Sequence, residues 1–114
     1  MTVMATWTEL GDRVFVRRYA FFDQNIGVVL GDGAAMLIDT RSTHAQAREI
    51  LADLRELTRD PVTIVVDTHG HFDHAFGNHV FRPAAIWGHA RCVTFLERTA
   101  EVRRARVAQE YPDL

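Results

Sequence analysis

The sequence predicts an α/β (α+β) fold, a mixed β-sheet with helices on one face. Three observations carry that expectation. Short β-rich runs separated by Gly-Asp pairs fill the first forty residues, the hydrophobic period then becomes helical from about Thr43, and an apolar run, Pro61-Val62-Thr63-Ile64-Val65-Val66, follows the helix. The order β-β-β-α-β-loop-β-α is that of a sheet carrying helices.

The first runs are Arg13-Val14-Phe15-Val16-Arg17, Asn25-Ile26-Gly27-Val28-Val29-Leu30 and Ala34-Ala35-Met36-Leu37-Ile38-Asp39. Gly31-Asp32-Gly33 reads as a hairpin turn, because glycine supplies positive φ without steric cost, so the strands on either side are expected to be antiparallel neighbours. Gly11-Asp12 reads as an earlier turn of the same kind. From Thr43, Ala47, Ile50, Leu51, Leu54 and Leu57 recur at three- and four-residue intervals, with Arg48, Glu49, Asp53, Arg55 and Glu56 opposite, as in an amphipathic helix. Thr43 and Gln46 form a capping-box pattern, and Asp60-Pro61 ends the helix. The Pro61–Val66 run is apolar on both faces, as in a strand covered on both sides. Ala84-Ala85-Ile86-Trp87 reads as a further short buried strand. His89 to about Gln109 reads as a second long helix, with Val93, Leu96 and Ala100 on its packed side.

At 114 residues the chain is one domain at most, and 47% hydrophobic with 25% charged residues it has the composition of a folded globular protein. A formal net charge of −2, with both signs mixed along the chain, gives no basic field, so no nucleic-acid partner is expected. The single cysteine, Cys92, has no partner for a disulfide or a thiolate cluster, so a metal would have to use imidazole and carboxylate. Met1 to Glu9 lacks the pattern of a leader, and no apolar run approaches membrane-spanning length. The expectation is a soluble, cytoplasmic chain with no membrane partner.

Directly after the apolar strand comes Asp67-Thr68-His69-Gly70-His71-Phe72-Asp73-His74. It holds four potential metal ligands, His69, His71, Asp73 and His74, within six residues. On an extended loop residues two apart point the same way, so His69 and His71 present two imidazoles to one ion, and Gly70 lets the loop turn tightly. Asp73 and His74 follow one step on and suit a second ion, since imidazole and carboxylate both suit zinc. The competing reading of Asp73 is a cap on a short helix from His74 towards Val80. His44 and His79 read as solvated surface residues, and His89 as a supporting or structural one.

His69-Gly70-His71-Phe72-Asp73-His74 resembles the His-x-His-x-Asp-His hallmark of the metallo-β-lactamase superfamily at every fixed position. Leu37-Ile38-Asp39-Thr40 resembles that family's aspartate-ended strand, and Ala75-Phe76-Gly77-Asn78 the segment after the motif in some members. The resemblance spans nearly the whole chain but only the amino-terminal half of the family's αββα domain, so residues 1–114 would form a partial domain. It implies a hydrolase using Zn2+, one or two ions with iron or manganese as alternatives, and activating a metal-bound hydroxide against an ester, amide, thioester or phosphodiester centre. His69 and His71 would hold the first ion, Asp73 and His74 the second. Asp73 would also be catalytic, orienting the hydroxide, while Asp39 and Asp67 would fix the histidine loop.

The remaining family ligands come from the carboxy-terminal half and have no counterpart here. The chain is therefore read as a fragment of a longer hydrolase, with a homo-oligomer or pairing with a missing half, and an inactive remnant, as the other arrangements. Two other functions stay open: a non-haem iron oxidoreductase of the same fold, and a non-catalytic metal-binding or interaction module.

Overall fold

A computed structural model describes residues 7–113. The stretch at Met1–Thr6, read above as carrying no leader, lies outside the described residues. Six strands form one sheet in which every strand pairs with its neighbour in sequence. They are β1 (Thr8–Gly11), β2 (Val14–Tyr19), β3 (Gln24–Leu30), β4 (Ala35–Ile38), β5 (Val62–Val66) and β6 (Ala85–Trp87). The first four are antiparallel, and β4, β5 and β6 are parallel, so the sheet is mixed. The helices are α1 (His44–Leu54), α2 (Phe72–Ala75) and α3 (Ala90–Glu110), with a 3-10 turn at Asn78–Phe81.

The two glycine-marked turns join antiparallel pairs. Gly11 pairs with Val14 across the first turn. Leu30 pairs with Ala35 across the second, where Gly31 N–H donates to the Ala34 carbonyl at 2.8 Å and Gly33 takes φ +78°. The first turn adds β1, a strand beyond the five listed from the sequence. Only four residues long and half exposed, it is too short for an alternating pattern to show.

Helix α1 starts where the capping pattern puts it. Thr43 Oγ1 accepts from Gln46 N–H at 3.1 Å, while Gln46 Oε1 turns to the Ser42 N–H at 3.1 Å. Its buried stripe, Ala47, Ile50 and Leu54, meets Phe15 and Tyr19 of β2, Ile26 and Val28 of β3, Leu37 of β4 and Val65 of β5 in one core with Trp7 and Phe81. Burying side chains of that size contributes about 1.5–3 kcal/mol each. Arg17 and Tyr19 are anchored to the same helix through Asp53, at 3.1 and 2.6 Å.

Among the described residues, no helix covers the opposite face of the sheet. The strand register lines up Val16, Gly27, Ile38, Val66 and Trp87 in one row, and Val14, Val29, Met36, Ile64 and Ala85 in the next. Apart from Trp87 and Ala85, which are exposed, these residues are half-buried. This corrects two expectations. Strand β5 is covered on one side only, and β6, expected to be buried, is exposed along its length, because it is the edge strand and nothing packs beyond it.

Helix α3 also differs from its expected packing. Cys92 and Val107 are buried, Leu96 and Ala100 half-buried, and Val93 is 47% exposed. The helix leans on the loop after β5 and on α2 rather than on the sheet, and Tyr111 just past its end meets the Phe22 ring at 5.0 Å. No helix among the described residues is long and apolar enough to cross a membrane.

Candidate metal centre

The site stands at the carboxyl ends of the parallel strands, where α/β sheets commonly place ligands. Strand β4 delivers Asp39, β5 delivers Asp67 and the histidine loop, and α2 carries Asp73 and His74. Main-chain bonds tie the strand ends together: Asp39 N–H donates to the Val66 carbonyl at 2.9 Å and Asp67 N–H to the Trp87 carbonyl at 2.8 Å.

Asp39, 3% exposed and at φ +68°, organises the imidazoles. Its carboxylate accepts the Thr68 N–H at 2.8 Å and the Thr68 hydroxyl at 2.8–3.0 Å. With its proton committed to Asp39, that hydroxyl accepts from His69 Nδ1 at 2.9 Å. The carboxylate also accepts from His74 Nδ1 at 2.7 Å. Both rings are thus held as the Nδ1–H tautomer, which leaves each Nε2 lone pair free to bind a cation. Partial burial, then the neighbouring His74 and His71, lowers the His69 pKa, which further favours the neutral ring.

The structure places the four sequence-predicted ligands as pairwise neighbours along the loop and α2. The His69 ring lies 4.2 Å from that of His74 and 4.8 Å from that of His71, centre to centre. An Asp73 carboxylate oxygen is 3.4 Å from His74 Nε2. Asp73 sits inside the first turn of α2, and the N-cap is His71, which makes no side-chain cap bond. The capping alternative for Asp73 is therefore set aside. Three imidazoles, two of them with Nδ1 already engaged, and a carboxylate fit a divalent cation in kind. Among the described residues no three such side chains converge on one point.

Asp67 lies beneath the loop. Asn78 Nδ2 donates to Oδ2 at 2.7 Å, and Oδ1 is buried without a hydrogen-bond partner among the described residues. Burial, with Asp39 adding to it against the Asn78 bond, raises the Asp67 pKa to about 6. Gly70 has a different role from the one expected. Its φ is not in the left-handed region, and a Cβ there would lie 2.6 Å from Phe95 Cδ1, so it makes room for the α3 ring. A depression of about 300 Å³ over the loop is walled by His69, His71, His89, Arg91, Cys92 and Phe95.

Of the other histidines, His89 borders the depression over the loop, and His44 and His79 lie elsewhere. His44 and His79 are exposed and stack on each other at 5.0 Å, and Arg82 lowers the His79 pKa. His89 caps α3, its Nδ1 accepting from Arg91 N–H at 3.0 Å. Sequence reasoning missed Thr68, Gln24, Arg41 and the double role of Asn78, whose Oδ1 accepts from the Thr40 hydroxyl at 2.8 Å. Asn78 stands in a segment already singled out. For Gln24 no local signal exists, because its partners are 17, 18 and 49 residues away.

No curated protein matches the chain by sequence. Solved structures do match by fold. The metallo-beta-lactamase FIM-1 from Pseudomonas aeruginosa, in a mono-zinc form, aligns with TM-score 0.68 at 18% identity, over 83% of this chain and 46% of that one. Metallo-beta-lactamases from Erythrobacter litoralis and Hirschia baltica each align with TM-score 0.67, at 21% and 17% identity, over 82% of this chain and 45% and 47% of theirs. The chain therefore spans just under half the length of these structures. Residues 19–110 match the metallo-beta-lactamase superfamily itself. With the motif, the mixed sheet and this match in agreement, the chain belongs to the metallo-beta-lactamase superfamily.

Proposed function

We propose that this chain carries the amino-terminal share of a metal-dependent hydrolase centre, with zinc as the resident ion. His69 and His71 hold one ion, and Asp73 with His74 contributes to a second. The observation that carries this reading is the Asp39 network, which fixes His74 directly and His69 through Thr68 so that both Nε2 atoms are free. A surface histidine pair has no need of such a buried support. When bound, the ion acidifies a water and polarises the scissile group of an ester, amide or thioester. Asp39 keeps the imidazoles in the tautomer that binds. Asp73, beside His74 Nε2, accepts a hydrogen bond from the attacking water and orients it.

A catalytic zinc takes three protein ligands, so the ion at His69 and His71 needs another donor from beyond this set. The open sheet face, apolar along both rows, is the surface on which a complementary half or a second copy would bring it. The test is metal content after purification without chelators, on wild type and on a His69→Ala/His71→Ala variant. The reading expects zinc in the first and a loss of at least tenfold in the second. Equal metal content in both removes the assignment, and iron in place of zinc redirects it to redox chemistry.

A further inference from the structure

Helix α2 is four residues long, too short to hold itself, and within it Phe76 N–H to the Phe72 carbonyl is the bond that closes a helical turn. The carbonyls of Asp73 and His74 are instead taken by groups from distant parts of the chain. Gln24 Nε2 donates to the Asp73 carbonyl at 2.7 Å, and Thr40 N–H to the His74 carbonyl at 2.9 Å. Gly77, two residues past α2, donates its N–H to the Arg41 carbonyl at 3.3 Å. The segment bearing two proposed ligands is thus bracketed from below.

Gln24 is wholly buried, and its amide is saturated in a way that leaves one orientation. Its Oε1 accepts from Arg41 Nε at 2.9 Å, which points Nε2 at Ser42 Oγ, 3.2 Å away, and at the Asp73 carbonyl. Arg41 is itself 4% exposed, sits at φ +66°, and is clamped by Glu49 at 3.0 Å and by the Tyr19 ring 4.0 Å beneath its guanidinium. An arginine in the left-handed region persists only where its surroundings over-determine it. The result is a fixed relay from Tyr19 and Glu49 through Arg41 and Gln24 to the backbone of Asp73.

We propose that Gln24, oriented by Arg41, is a positioning residue for the Asp73–His74 ligand pair: its amide sets where that main chain lies, and hence the distance from Asp73 to the His74 ring. The inference rests on the metal-centre reading above. The test is a Co2+ titration of the chain followed by visible absorption, on wild type, Gln24→Glu and Ser42→Ala, at a temperature where near-UV circular dichroism finds each folded. Gln24→Glu keeps the volume and the Arg41 contact but turns an oxygen on the Asp73 carbonyl. Ser42→Ala removes the other acceptor of the same amide and leaves the Asp73 bond intact.

Expected for Gln24→Glu is a rise of about tenfold or more in the Co2+ dissociation constant with an altered absorption band, the scale seen when supports of metal ligands are removed. Ser42→Ala is expected to match wild type in both. If folded Gln24→Glu has wild-type affinity and spectrum, the positioning role is overturned and Gln24 is a packing residue only, while the metal centre stands. If wild type itself takes up no Co2+, the reading that this chain's own residues hold a metal falls, and this inference with it. Should Gln24→Glu not fold, Arg41→Lys, which removes the Nε–H that orients the amide, is expected to shift affinity and band in the same direction. Unchanged values there overturn the proposal equally.

Discussion

Replacing Gly77 by alanine tests whether the α2 segment is seated as tightly as its geometry indicates. A Cβ at this position would lie 2.0 Å from the Thr40 carbonyl oxygen and 2.8 Å from Ala47 Cβ, so it meets main chain on one side and a buried helix residue on the other. Neither is the free end of a flexible side chain, and relief requires the backbone to move by about 1 Å or more, given that real contacts rarely fall below about 3 Å. That movement strains the Gly77–Arg41 and Thr40–His74 main-chain bonds. Two such bonds at about 1 kcal/mol each, with about 1–3 kcal/mol for overpacking, give a loss of about 3–5 kcal/mol. Against a total stability of about 5–15 kcal/mol this is large, and at about 4 °C per kcal/mol the melting temperature falls by about 12–20 °C. Urea denaturation followed by tryptophan fluorescence measures it, with two other glycines as references. Gly33→Ala, in a turn at φ +78°, is expected to cost about 1 kcal/mol from backbone strain. Gly11→Ala, where a Cβ meets nothing within 4 Å, is expected to change stability by less than about 0.5 kcal/mol. A Gly77→Ala chain within 0.5 kcal/mol of wild type, or a different ranking of the three, refutes the seating argument.

Two further outcomes follow from the same loop. Because burial raises the Asp67 pKa to about 6, above its unfolded value near 4, the native state holds this proton more tightly than the unfolded chain does. Its contribution is complete below about pH 4 and is lost as pH rises through about 6. In metal-free buffer, the stability of Asp67→Asn relative to wild type is therefore expected to improve by on the order of 2 kcal/mol between pH 4 and pH 8, and a flat difference over that window contradicts the assignment. Gly70→Ala meets the edge of the Phe95 ring, which can swing aside, so a cost near 1 kcal/mol is expected and should vanish in a Phe95→Ala background. A double-mutant cycle with no coupling would mean that α3 does not rest on the histidine loop.

Much of this architecture was legible in the sequence because the signals are local. Thr43 and Gln46 mark the start of α1 within four residues, and Gly31-Asp32-Gly33 marks a hairpin within three. The four proposed ligands stand out by density alone. What escaped depends on partners far along the chain. The Gln24 amide serves Asp73, 49 residues away, and the Thr40 hydroxyl serves Asn78, 38 residues away, so no window of the sequence contains either relationship. The packing of α3 was misjudged for a related reason: its apolar positions are sparse, and Cys92 and Phe95 are recruited by the loop rather than by a continuous stripe. The exposure of β6 was missed because an edge strand and a central one share the same apolar spelling.

The strand order has a consequence for synthesis. In a sheet ordered β1 to β6, each strand as it leaves the ribosome finds its pairing partner already made, with no gap held open for a later segment. The hairpins close first over short loops, and β5 docks after α1 has been completed. The bonds that hold His69 and His74 use Asp39, which stands at the end of β4 and is translated before α1. The carboxylate that engages the Nδ1 atoms, directly and through Thr68, thereby precedes the imidazoles themselves in the order of synthesis.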